Sequence, residues 1–255
     1  MRFSAVCVTY GPNAEFANLA ASYHRASPRH CVLTVVVQPD SSGASLGGDA
    51  LDAYPWVTAV RVDANLGFGG ANNLAVSRCT TDYVALLNPD IELTPGWWEP
   101  LVAELDTHPD VAVAAPPLLD SEGYIAEAGQ IIHADGGTEP IGGRQSPGWP
   151  HNYADVMQDR DVPYASAACW MVRRLLFNEL GGFDERYWPA YFEDADFCLR
   201  AADAGYRTRL VCARPVIHHH EGASAERVAI AERSRAAFEK RWASTLSTFP
   251  PRASA

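Results

Sequence analysis

This chain has a single lysine, no long apolar run, and no charged stretch followed by an apolar one at its N-terminus. Lys240 is the single lysine and the net charge is −11, which argues against DNA or RNA as a partner because no basic surface is concentrated enough to displace counterions from phosphates. No run of about 18 apolar residues occurs, so we expect no transmembrane segment. The N-terminus enters an alternating apolar pattern, RFSAVCVTY, and so we expect no signal peptide.

Cysteine pairs with metal-binding or redox spacing are also missing. The six cysteines are scattered and form no C-x-x-C motif, which argues against a zinc ribbon or a redox site. Several lie in apolar runs such as SAACWMV, where a small buried thiol is the ordinary interpretation. Such thiols are typical of a reducing compartment, so we expect a cytoplasmic protein, with peripheral association at the inner face of the membrane left open.

The chain does contain a regular alternation of short apolar runs and helical patterns. The predicted strands of the first half cover residues 3–9, 31–37, 57–62, 83–87 and 111–115. Helices are predicted between them, beginning near Asn13, after the glycine-rich turn NLGFGG and at Thr94. This alternation predicts an α/β fold with a doubly wound, mostly parallel sheet.

The second half of the chain has a different pattern. Residues 118–163 are rich in glycine, proline and polar residues and are predicted to form a long functional loop. A strand and a short helix follow in SAACWMVRRLLFNELGG, and another helix follows in FEDADFCLRAADAG. Short strands at 207–212 and 216–217 then lead to a charged helix at 225–243.

Polar clusters follow four of the predicted strands. They begin at Tyr10, Gln38, Asn65 and Asn88. Ligands of open α/β sheets bind at the carboxyl ends of the strands, so these clusters predict one site. The third cluster, NLGFGGANN, would let glycine backbone and free helix N–H groups approach a ligand, and a tight turn is the structural alternative. Its spacing fits neither an ATPase P-loop nor a dinucleotide fingerprint.

Three further motifs carry side chains suited to metal or acid–base chemistry. NPD places Asp90 where it could bind a hard divalent cation, with an Asx-Pro turn as the alternative. FEDADF crowds Glu193 and Asp194 into a helix start, either to complement the helix dipole or to form a desolvated general base. VIHHHEGAS ends a strand with histidines that could ligate a metal or form a polar strand exit.

The chain resembles the family 2 glycosyltransferases, and among them the rhamnosyltransferase-like branch, in the order and spacing of the motifs VCVTYGPN, NLGFGGANN, YVALLNPDIELTPGWW, AACWMVRRLLFNELGGFDERYWPAYFEDADFCLRAADAGY and VIHHHEGAS. The resemblance covers about residues 3–224. It implies the GT-A fold and inverting transfer of a sugar from a nucleotide diphosphate sugar to a hydroxyl group, with Mg²⁺ or Mn²⁺ as cofactor. It also implies a nucleotide-sugar-binding half (1–116), an acceptor-binding and catalytic half (117–224), and a C-terminal helix and tail (225–255).

The same resemblance implies roles for individual residues. Asp194, beside Glu193, matches the general base. The expected metal ligands are Asp90 and either His218 or His219. The residues matched to donor-binding positions are Thr9, Tyr10, Asn65, Gly67, Asn73 and Asn88, the last standing where other members have an acid.

One position departs from the family pattern. Members usually have Asp-Asn after the second strand, where the Asp reaches the nucleobase, whereas this chain has Gln38 and Pro39 followed by Asp40. Either Gln38 forms hydrogen bonds to a pyrimidine base through its amide, or Asp40 contacts the base instead because the loop is shifted. The expected donor is a dTDP-deoxysugar such as dTDP-rhamnose, with a UDP-sugar as the second choice.

The acceptor pocket is expected to form in the second half of the chain. Its expected residues are Trp149, Trp170, Gly182 and Asp184, the tryptophans offering a flat face to a sugar ring. The acceptor could be a lipid-linked glycan, a polysaccharide or a small molecule, and a homodimer is left open. Two other functions stay open: a non-catalytic sugar-nucleotide or glycan-binding module, which Gln38 favours, and a nucleotidyltransferase, which the lack of basic residues in TYGPNAEF disfavours.

Overall fold

The computed structural model describes residues 3–143, 153–219 and 224–252. Its strands are β1 (Phe3–Tyr10), β2 (Leu33–Gln38), β3 (Val57–Arg61), β4 (Tyr83–Leu87), β5 (Ile91–Glu92), β6 (Val111–Ala115), β7 (Leu118–Leu119), β8 (Ile125–Glu127), β9 (Gln130–Ile132), β10 (Thr138–Pro140), β11 (Arg160–Val162), β12 (Cys169–Arg173), β13 (Arg207–Leu210) and β14 (Val216–His218). Its helices are α1 (Phe16–Ala26), α2 (Gly48–Asp52), α3 (Gly67–Ser77), α4 (Trp98–Thr107), α5 (Tyr153–Val156), α6 (Arg174–Glu179), α7 (Glu193–Asp203) and α8 (Ala225–Leu246), with a 3₁₀ turn at Glu185–Tyr187.

An eight-stranded sheet in the described part of the chain has the order β11-β13-β6-β12-β4-β1-β2-β3. Strands β3, β2, β1 and β4 run parallel, with Ala5 of β1 opposite Leu33 of β2 and Ala85 of β4. All residues of β4 and β6 are buried and apolar, as strands covered by helices on both faces require. The predicted α/β class with a mostly parallel sheet is therefore confirmed.

Strand β12 is inserted between β4 and β6 and runs antiparallel to both. Its first residue, Cys169, pairs with Leu87, the last residue of β4. The chain segment that enters β12 therefore lies at the carboxyl edge of β4. This edge is also where ligands of parallel sheets bind.

Two apolar layers cover the faces of the large sheet. One contains Phe3 and Trp97 together with the buried sides of α1 and α4. The other contains an aromatic cluster in which the rings of Phe177, Phe183 and Phe197 lie 5.0–5.9 Å apart. Such ring pairs add about 0.5–1.5 kcal/mol each to the stabilisation that burial gives. The six cysteines are free and five of them are buried in these layers or beside them, as their apolar surroundings predict.

The prediction of a long loop at 118–163 is wrong for the residues that the structure describes. This stretch contains the strands β7, β8, β9, β10 and β11 and the helix α5. Each of these strands has two or three residues, too few to show the alternation that identifies a strand in sequence. Strands β7 and β8 join β5 and β14 in a second, four-stranded sheet of order β5-β14-β7-β8.

A fully buried carboxylate joins α7, α8 and the 3₁₀ turn. Asp196 accepts hydrogen bonds from the Tyr187 hydroxyl at 3.1 Å and from Trp242 Nε1 at 3.0 Å. Arg200 Nε lies 2.7 Å from one carboxylate oxygen, and Arg241 Nε lies 2.9 Å from the other. Both oxygens are thus engaged by donors, as a stable buried charge requires.

Asp196→Ala is expected to destabilise the fold by about 3–5 kcal/mol, because the largely buried Arg200 loses its counter-charge and Arg241 loses one of its two carboxylate partners. The matched control is Asp203→Ala at the exposed end of the same helix, for which a change of about 0.5 kcal/mol or less is expected. Urea unfolding followed by circular dichroism measures both. Equal losses in the two variants would contradict the role of Asp196 in joining these elements.

Candidate active site

Two cavities open along the carboxyl edge of the large sheet. The first has a volume of about 750 Å³ and lies beyond the ends of β1, β2 and β3. Its lining includes Tyr10, Asp40, Asn65 and Trp188. The second has a volume of about 450 Å³ and lies beyond β4 and the entry to β12. Its lining includes Asn88, Asp90, Gln130, Glu193, Asp194 and His218.

The antiparallel pairing of β14 with β5 brings a histidine to the NPD motif. His218 Nε2 lies 3.3 Å from Asp90 Oδ1, and both residues line the second cavity. The next side chain along the strand turns the other way, so that His219 Nε2 lies 3.0 Å from Glu92 Oε2. Of the two alternative metal ligands, the structure thus places His218 at Asp90 and directs His219 away, which corrects the prediction for His219.

Asn88 is held beside this pair by the segment that enters β12. Its backbone N–H donates to Ala168 O at 2.8 Å. Its side-chain Oδ1 is buried and has no hydrogen-bond partner among the described residues. Buried side-chain oxygens nearly always have a partner, so this oxygen fits a site that a ligand completes.

The two acids at the start of α7 have different surroundings. Asp194 Oδ1 accepts from the Ala195 N–H at 2.8 Å, and Oδ2 accepts from the Ala167 N–H at 3.3 Å. Burial raises the pKa of Asp194, and these amide contacts oppose the increase. Glu193 Oε2 is buried with no hydrogen-bond partner in the described ranges, and burial, followed by the charge of Asp194, raises the pKa of Glu193 well above its ordinary value. Burial thus favours the protonated form of both acids, and does so more strongly for Glu193, whose Oε2 has no donor in the described ranges, than for Asp194, which two amides hold.

The two residues before α7 have left-handed backbone conformations. The φ angle is 72° at Tyr191 and 70° at Phe192, a region that residues other than glycine rarely adopt. Such conformations cost about 1–3 kcal/mol each and persist where the surrounding structure enforces them, commonly at functional sites. Both residues line the second cavity, so this strained turn leads the chain into Glu193 and Asp194 at the cavity wall.

Glu127 is a buried acid close to this cavity that no sequence pattern identifies. It ends the short strand β8, and its two carboxylate oxygens accept from the Ser166 N–H and from Gln130 Nε2, each at 2.7 Å. Burial is the main cause that raises the pKa of Glu127 to about 6, and the nearby charge of Asp194 acts in the same direction. A lone glutamate in a stretch without periodicity gives no signal, because only the fold brings it to Ser166.

Two predicted donor-binding side chains are buried rather than exposed to the first cavity. The Thr9 hydroxyl is enclosed and donates to Val36 O at 3.5 Å. Gln38 is 1% exposed, and its Oε1 accepts from the Leu66 N–H at 2.7 Å. The predictions that these side chains bind the nucleotide are wrong, because neighbouring backbone groups engage them inside the protein. The non-catalytic interpretation thereby loses the support that Gln38 gave it.

Tyr10 and Asp40 do line the first cavity. Asp40 Oδ1 accepts from the Ser42 N–H at 2.8 Å, from the Ser42 hydroxyl at 2.6 Å and from the Ala44 N–H at 3.0 Å. The bond from the Ser42 hydroxyl is the main cause that holds the pKa of Asp40 below its ordinary value. The alternative in which Asp40 replaces Gln38 at the nucleobase stays a prediction. Asp40 has an ionised carboxylate and lines the first cavity, as that alternative requires.

The glycine-rich turn packs against the segment that precedes α7. Gly67 has a φ of 74°, and a Cβ there would lie 2.8 Å from Pro189 O and from Trp188 Cδ1. The Trp188 indole N–H donates to Asn65 O at 3.1 Å, and the Phe68 N–H donates to Pro189 O at 2.7 Å. The close approach of Trp188 and Pro189 therefore explains why this residue is glycine, and the predicted contact of Gly67 with the nucleotide stays a prediction. Asn65 lines the first cavity, and its donor role stays a prediction.

Asn73, Gly182 and Asp184 have structural contacts in this structure. Asn73 Oδ1 accepts from the Phe183 N–H and Nδ2 donates to Phe183 O, both at 2.8 Å. A Cβ at Gly182 would collide with Asn73 Oδ1. Asp184 accepts from Arg241 Nη1 at 2.7 Å. These groups join α3 and α8 to the turn between α6 and α7, and their predicted roles in ligand binding stay predictions.

The predicted sugar-stacking role of Trp170 is also wrong. Its side chain is fully buried, its indole N–H donates to Ala165 O at 3.2 Å, and its ring packs on Phe183 and Phe197. Trp149 lies outside the described residues. Trp188, by contrast, is 50% exposed and lines the first cavity, although no sequence pattern identifies it as a site residue.

Comparison with known proteins adds evidence that is independent of the cavities. A family model described as "Glycosyl transferase family 2" matches residues 17–181. The chain belongs to glycosyl transferase family 2. An N-acetylglucosaminyl-diphospho-decaprenol L-rhamnosyltransferase of Mycobacterium tuberculosis is 29% identical over 235 residues, which cover 84% of this chain and 75% of the relative. The predicted rhamnosyltransferase-like branch of the family is thereby confirmed.

Solved structures share the fold of this family 2 chain. GalNAc-T7 with UDP, GalNAc and Mn²⁺ superposes with a TM-score of 0.71 at 16% identity, covering 95% of this chain and 48% of that chain. The mannosyltransferase PcManGT from Pyrobaculum calidifontis, in complex with GDP-Man and Mn²⁺, gives a TM-score of 0.63 at 15% identity, covering 94% of this chain and 64% of that chain. This chain therefore spans about half the length of the first structure and under two thirds of the second. The family 2 chain is a glycosyltransferase with the GT-A fold, and none of its described helices is long and apolar enough to cross a bilayer.

In this glycosyltransferase, Gly67→Ala is expected to destabilise the fold more than Gly181→Ala. Both positions have positive φ angles, 74° and 82°, so each substitution carries the left-handed penalty of about 1–2 kcal/mol. A Cβ at Gly181 meets no atom within 4 Å, whereas one at Gly67 meets Trp188 and Pro189, which adds about 1–3 kcal/mol of overpacking. Urea unfolding of both variants measures the difference. Equal losses would mean that the turn is not packed on Trp188 and Pro189 as described.

Proposed function

We propose that this glycosyltransferase moves a sugar, in particular a deoxysugar such as rhamnose, from a dTDP- or UDP-sugar to a hydroxyl acceptor, with inversion and with Mg²⁺ or Mn²⁺. One observation carries the proposal: the carboxyl group of Asp194, held by two backbone N–H groups, lines the same cavity as the Asp90–His218 pair. A base for the attacking hydroxyl and ligands for a cation at the leaving diphosphate are the two groups that such a transfer needs.

The first cavity is proposed to hold the nucleoside. Tyr10 is 49% exposed and Trp188 is 50% exposed, so both offer aromatic surface to a base. The ionised carboxylate of Asp40 only accepts hydrogen bonds, which complements the N3–H group of uracil or thymine. These three side chains support a pyrimidine nucleotide.

The second cavity is proposed to hold the diphosphate and the reacting sugar. Its acids, Asp90 and Asp194, together with the nearby Glu127, would repel an anionic diphosphate unless a cation offset their charge. Asp90, His218 and Asn88 Oδ1 would hold Mg²⁺ or Mn²⁺, and carboxylate, imidazole and amide groups fit these ions. When bound, the cation neutralises charge on the leaving diphosphate.

The small number of metal ligands that the protein offers supports a cation that also binds the diphosphate. Among the described residues, no group of three or more Asp, Glu, His or Cys side chains forms a complete metal cluster. Diphosphate oxygens and water would therefore supply the other ligands, as is common for Mg²⁺ at nucleotide sites. Both structural neighbours above contain Mn²⁺, which supports a divalent cation here.

Asp194 is proposed as the general base. Its carboxylate takes the proton of the acceptor hydroxyl while that oxygen forms its bond to the anomeric carbon and the bond from this carbon to the diphosphate oxygen breaks. Attack from the face opposite the diphosphate inverts the configuration. The raised pKa makes Asp194 a stronger base than an exposed aspartate, and the pKa of Glu193 beside it is raised as well, chiefly by burial.

The acceptor is proposed to be a hydroxyl group of a glycan, a lipid-linked sugar or a small molecule. The Mycobacterium tuberculosis relative is named for N-acetylglucosaminyl-diphospho-decaprenol, which supports a lipid-linked sugar. Residues 1–116 are proposed as the nucleotide-sugar half and residues 117–224 as the acceptor and catalytic half, because the first cavity is lined mainly by the former, whereas the base comes from the latter.

Asp194→Asn is expected to reduce transfer by at least about 10²-fold, because the hydroxyl proton then has no base. Binding of the nucleoside diphosphate should remain, since the first cavity is unchanged. The matched control is Glu193→Gln, which replaces the neighbouring carboxyl, whose pKa is raised further by burial, with a neutral group of the same shape and is expected to lose less activity. Release of nucleoside diphosphate in the presence of acceptor measures both. Normal turnover by Asp194→Asn would contradict the proposed mechanism.

His218→Ala is expected to weaken Mn²⁺-dependent binding of UDP or dTDP by at least about tenfold, because a metal ligand is lost. The matched control is His219→Ala, which removes the neighbouring imidazole that contacts Glu92 and is expected to leave this binding unchanged. Isothermal titration calorimetry with Mn²⁺ and with EDTA measures the effect. If the two variants bind alike, His218 is not a metal ligand.

A further inference from the structure

One wall of the second cavity contains an amide group whose oxygen has no partner in the described ranges. Gln130, the first residue of β9, lines the cavity, and its Nε2 donates to Glu127 at 2.7 Å. Its Oε1 is screened from solvent, and the described residues provide no hydrogen-bond donor for it. The backbone of Gln130 is fixed, because its N–H donates to Tyr164 O at 2.9 Å. A buried amide oxygen in this state destabilises the folded protein unless a donor reaches it.

Glu127 determines which end of this amide is left for a ligand. A carboxylate offers only acceptors, so Gln130 must turn its NH₂ group toward Glu127 and its carbonyl oxygen elsewhere. Glu127 is buried and is held in place, because its other oxygen accepts from the Ser166 N–H at 2.7 Å. A pKa of about 6 leaves Glu127 mostly ionised at neutral pH, which preserves this orientation.

Glu127, which orients the Gln130 amide, and Asp194, the proposed base, are bound by consecutive backbone N–H groups. Ser166 binds Glu127 through its N–H, and the next N–H, that of Ala167, binds Asp194. Gln130 and Asp194 also line the same cavity. A ligand whose hydroxyl groups lie near Asp194 would therefore bring hydrogen-bond donors to Gln130 Oε1.

We propose that Gln130, oriented by Glu127, accepts a hydrogen bond from a hydroxyl group of the carbohydrate bound in the second cavity and so selects among sugars. The inference rests on the proposed function. The hydroxyl belongs either to the sugar of the donor or to the acceptor, and both present the same chemistry to Gln130. A site built to bond a hydroxyl discriminates against a ligand that lacks it, because the buried oxygen then stays unpaired.

Three variants separate this role from a purely structural one. Gln130→Met keeps the length of the side chain and removes the acceptor. In Glu127→Gln the new amide oxygen can keep the Ser166 bond, so its NH₂ group faces residue 130 and the Gln130 amide must rotate to present NH₂ to the cavity. Adding Gln130→Glu to Glu127→Gln restores an acceptor at the cavity wall and leaves the net charge of the pair unchanged.

The measurement compares ligands with and without a sugar. Calorimetry with Mn²⁺ gives Kd values for dTDP and dTDP-rhamnose and for UDP and UDP-glucose, and transfer assays give the KM of a soluble N-acetylglucosaminide acceptor. Gln130→Met and Glu127→Gln are each expected to weaken carbohydrate binding by about tenfold. If the hydroxyl is on the donor, the Kd of the nucleotide sugar increases. If the hydroxyl is on the acceptor, the KM of the acceptor increases. The Kd of the bare nucleoside diphosphate should stay constant, and the double variant should recover most of the loss.

Two results would overturn the inference. One is unchanged Kd and KM values in Gln130→Met, with a normal melting temperature as the control for folding. The other is a double variant no better than Glu127→Gln, which would assign Glu127 and Gln130 a structural role alone. If the wild-type protein binds none of the four nucleotides, the proposed function fails and this inference with it, so the two failures are distinguishable.

Discussion

The direction of β12 is the constraint on which the site depends. Because this strand runs antiparallel to β4 and β6, the segment leading into it reaches the edge where the parallel strands end. The peptide groups of residues 166–168 there bind Glu127, Asp194 and Asn88, which come from three separate elements or loops. Backbone groups are fixed more firmly than side chains, so the spacing of these three residues follows from the pairing of the sheet.

The acidic side chains near α7 and in the NPD motif lie close together in the folded protein, and each has a different environment. Asp196 is buried among two guanidinium groups, an indole and a phenol. Asp90 faces His218, and burial raises the pKa of Glu193 well above its ordinary value. Asp194 combines a carboxyl group held by two amides with a place at the cavity wall. Within the first turn of α7, the structure thus buries Asp196 in a network that joins elements and places Asp194 at the cavity.

Much of the fold could be predicted, because its central strands are continuous apolar runs. Strands β4 and β6 lie at the predicted residues, 83–87 and 111–115. Motifs also located the acid pair of α7 and the NPD turn. Sequence could not show which way a polar side chain at a strand end turns, and Gln38 turns inward because the Leu66 N–H is in reach. Nor could it find Glu127, since the strand that carries it has three residues and its partner, Ser166, is distant in the chain.

The contact of Gly67 with Trp188 and Pro189 bears on how enzymes of this kind diverge. Gly67 belongs to the proposed nucleotide half and Trp188 to the proposed acceptor half, yet the indole lines the first cavity and packs on the glycine. A chimera that joins residues 1–116 of one relative to the remainder of another therefore keeps this cavity only when both parents supply matching sides of the contact. Under the proposed function, donor specificity would be inherited through both halves of the chain rather than through the first half alone.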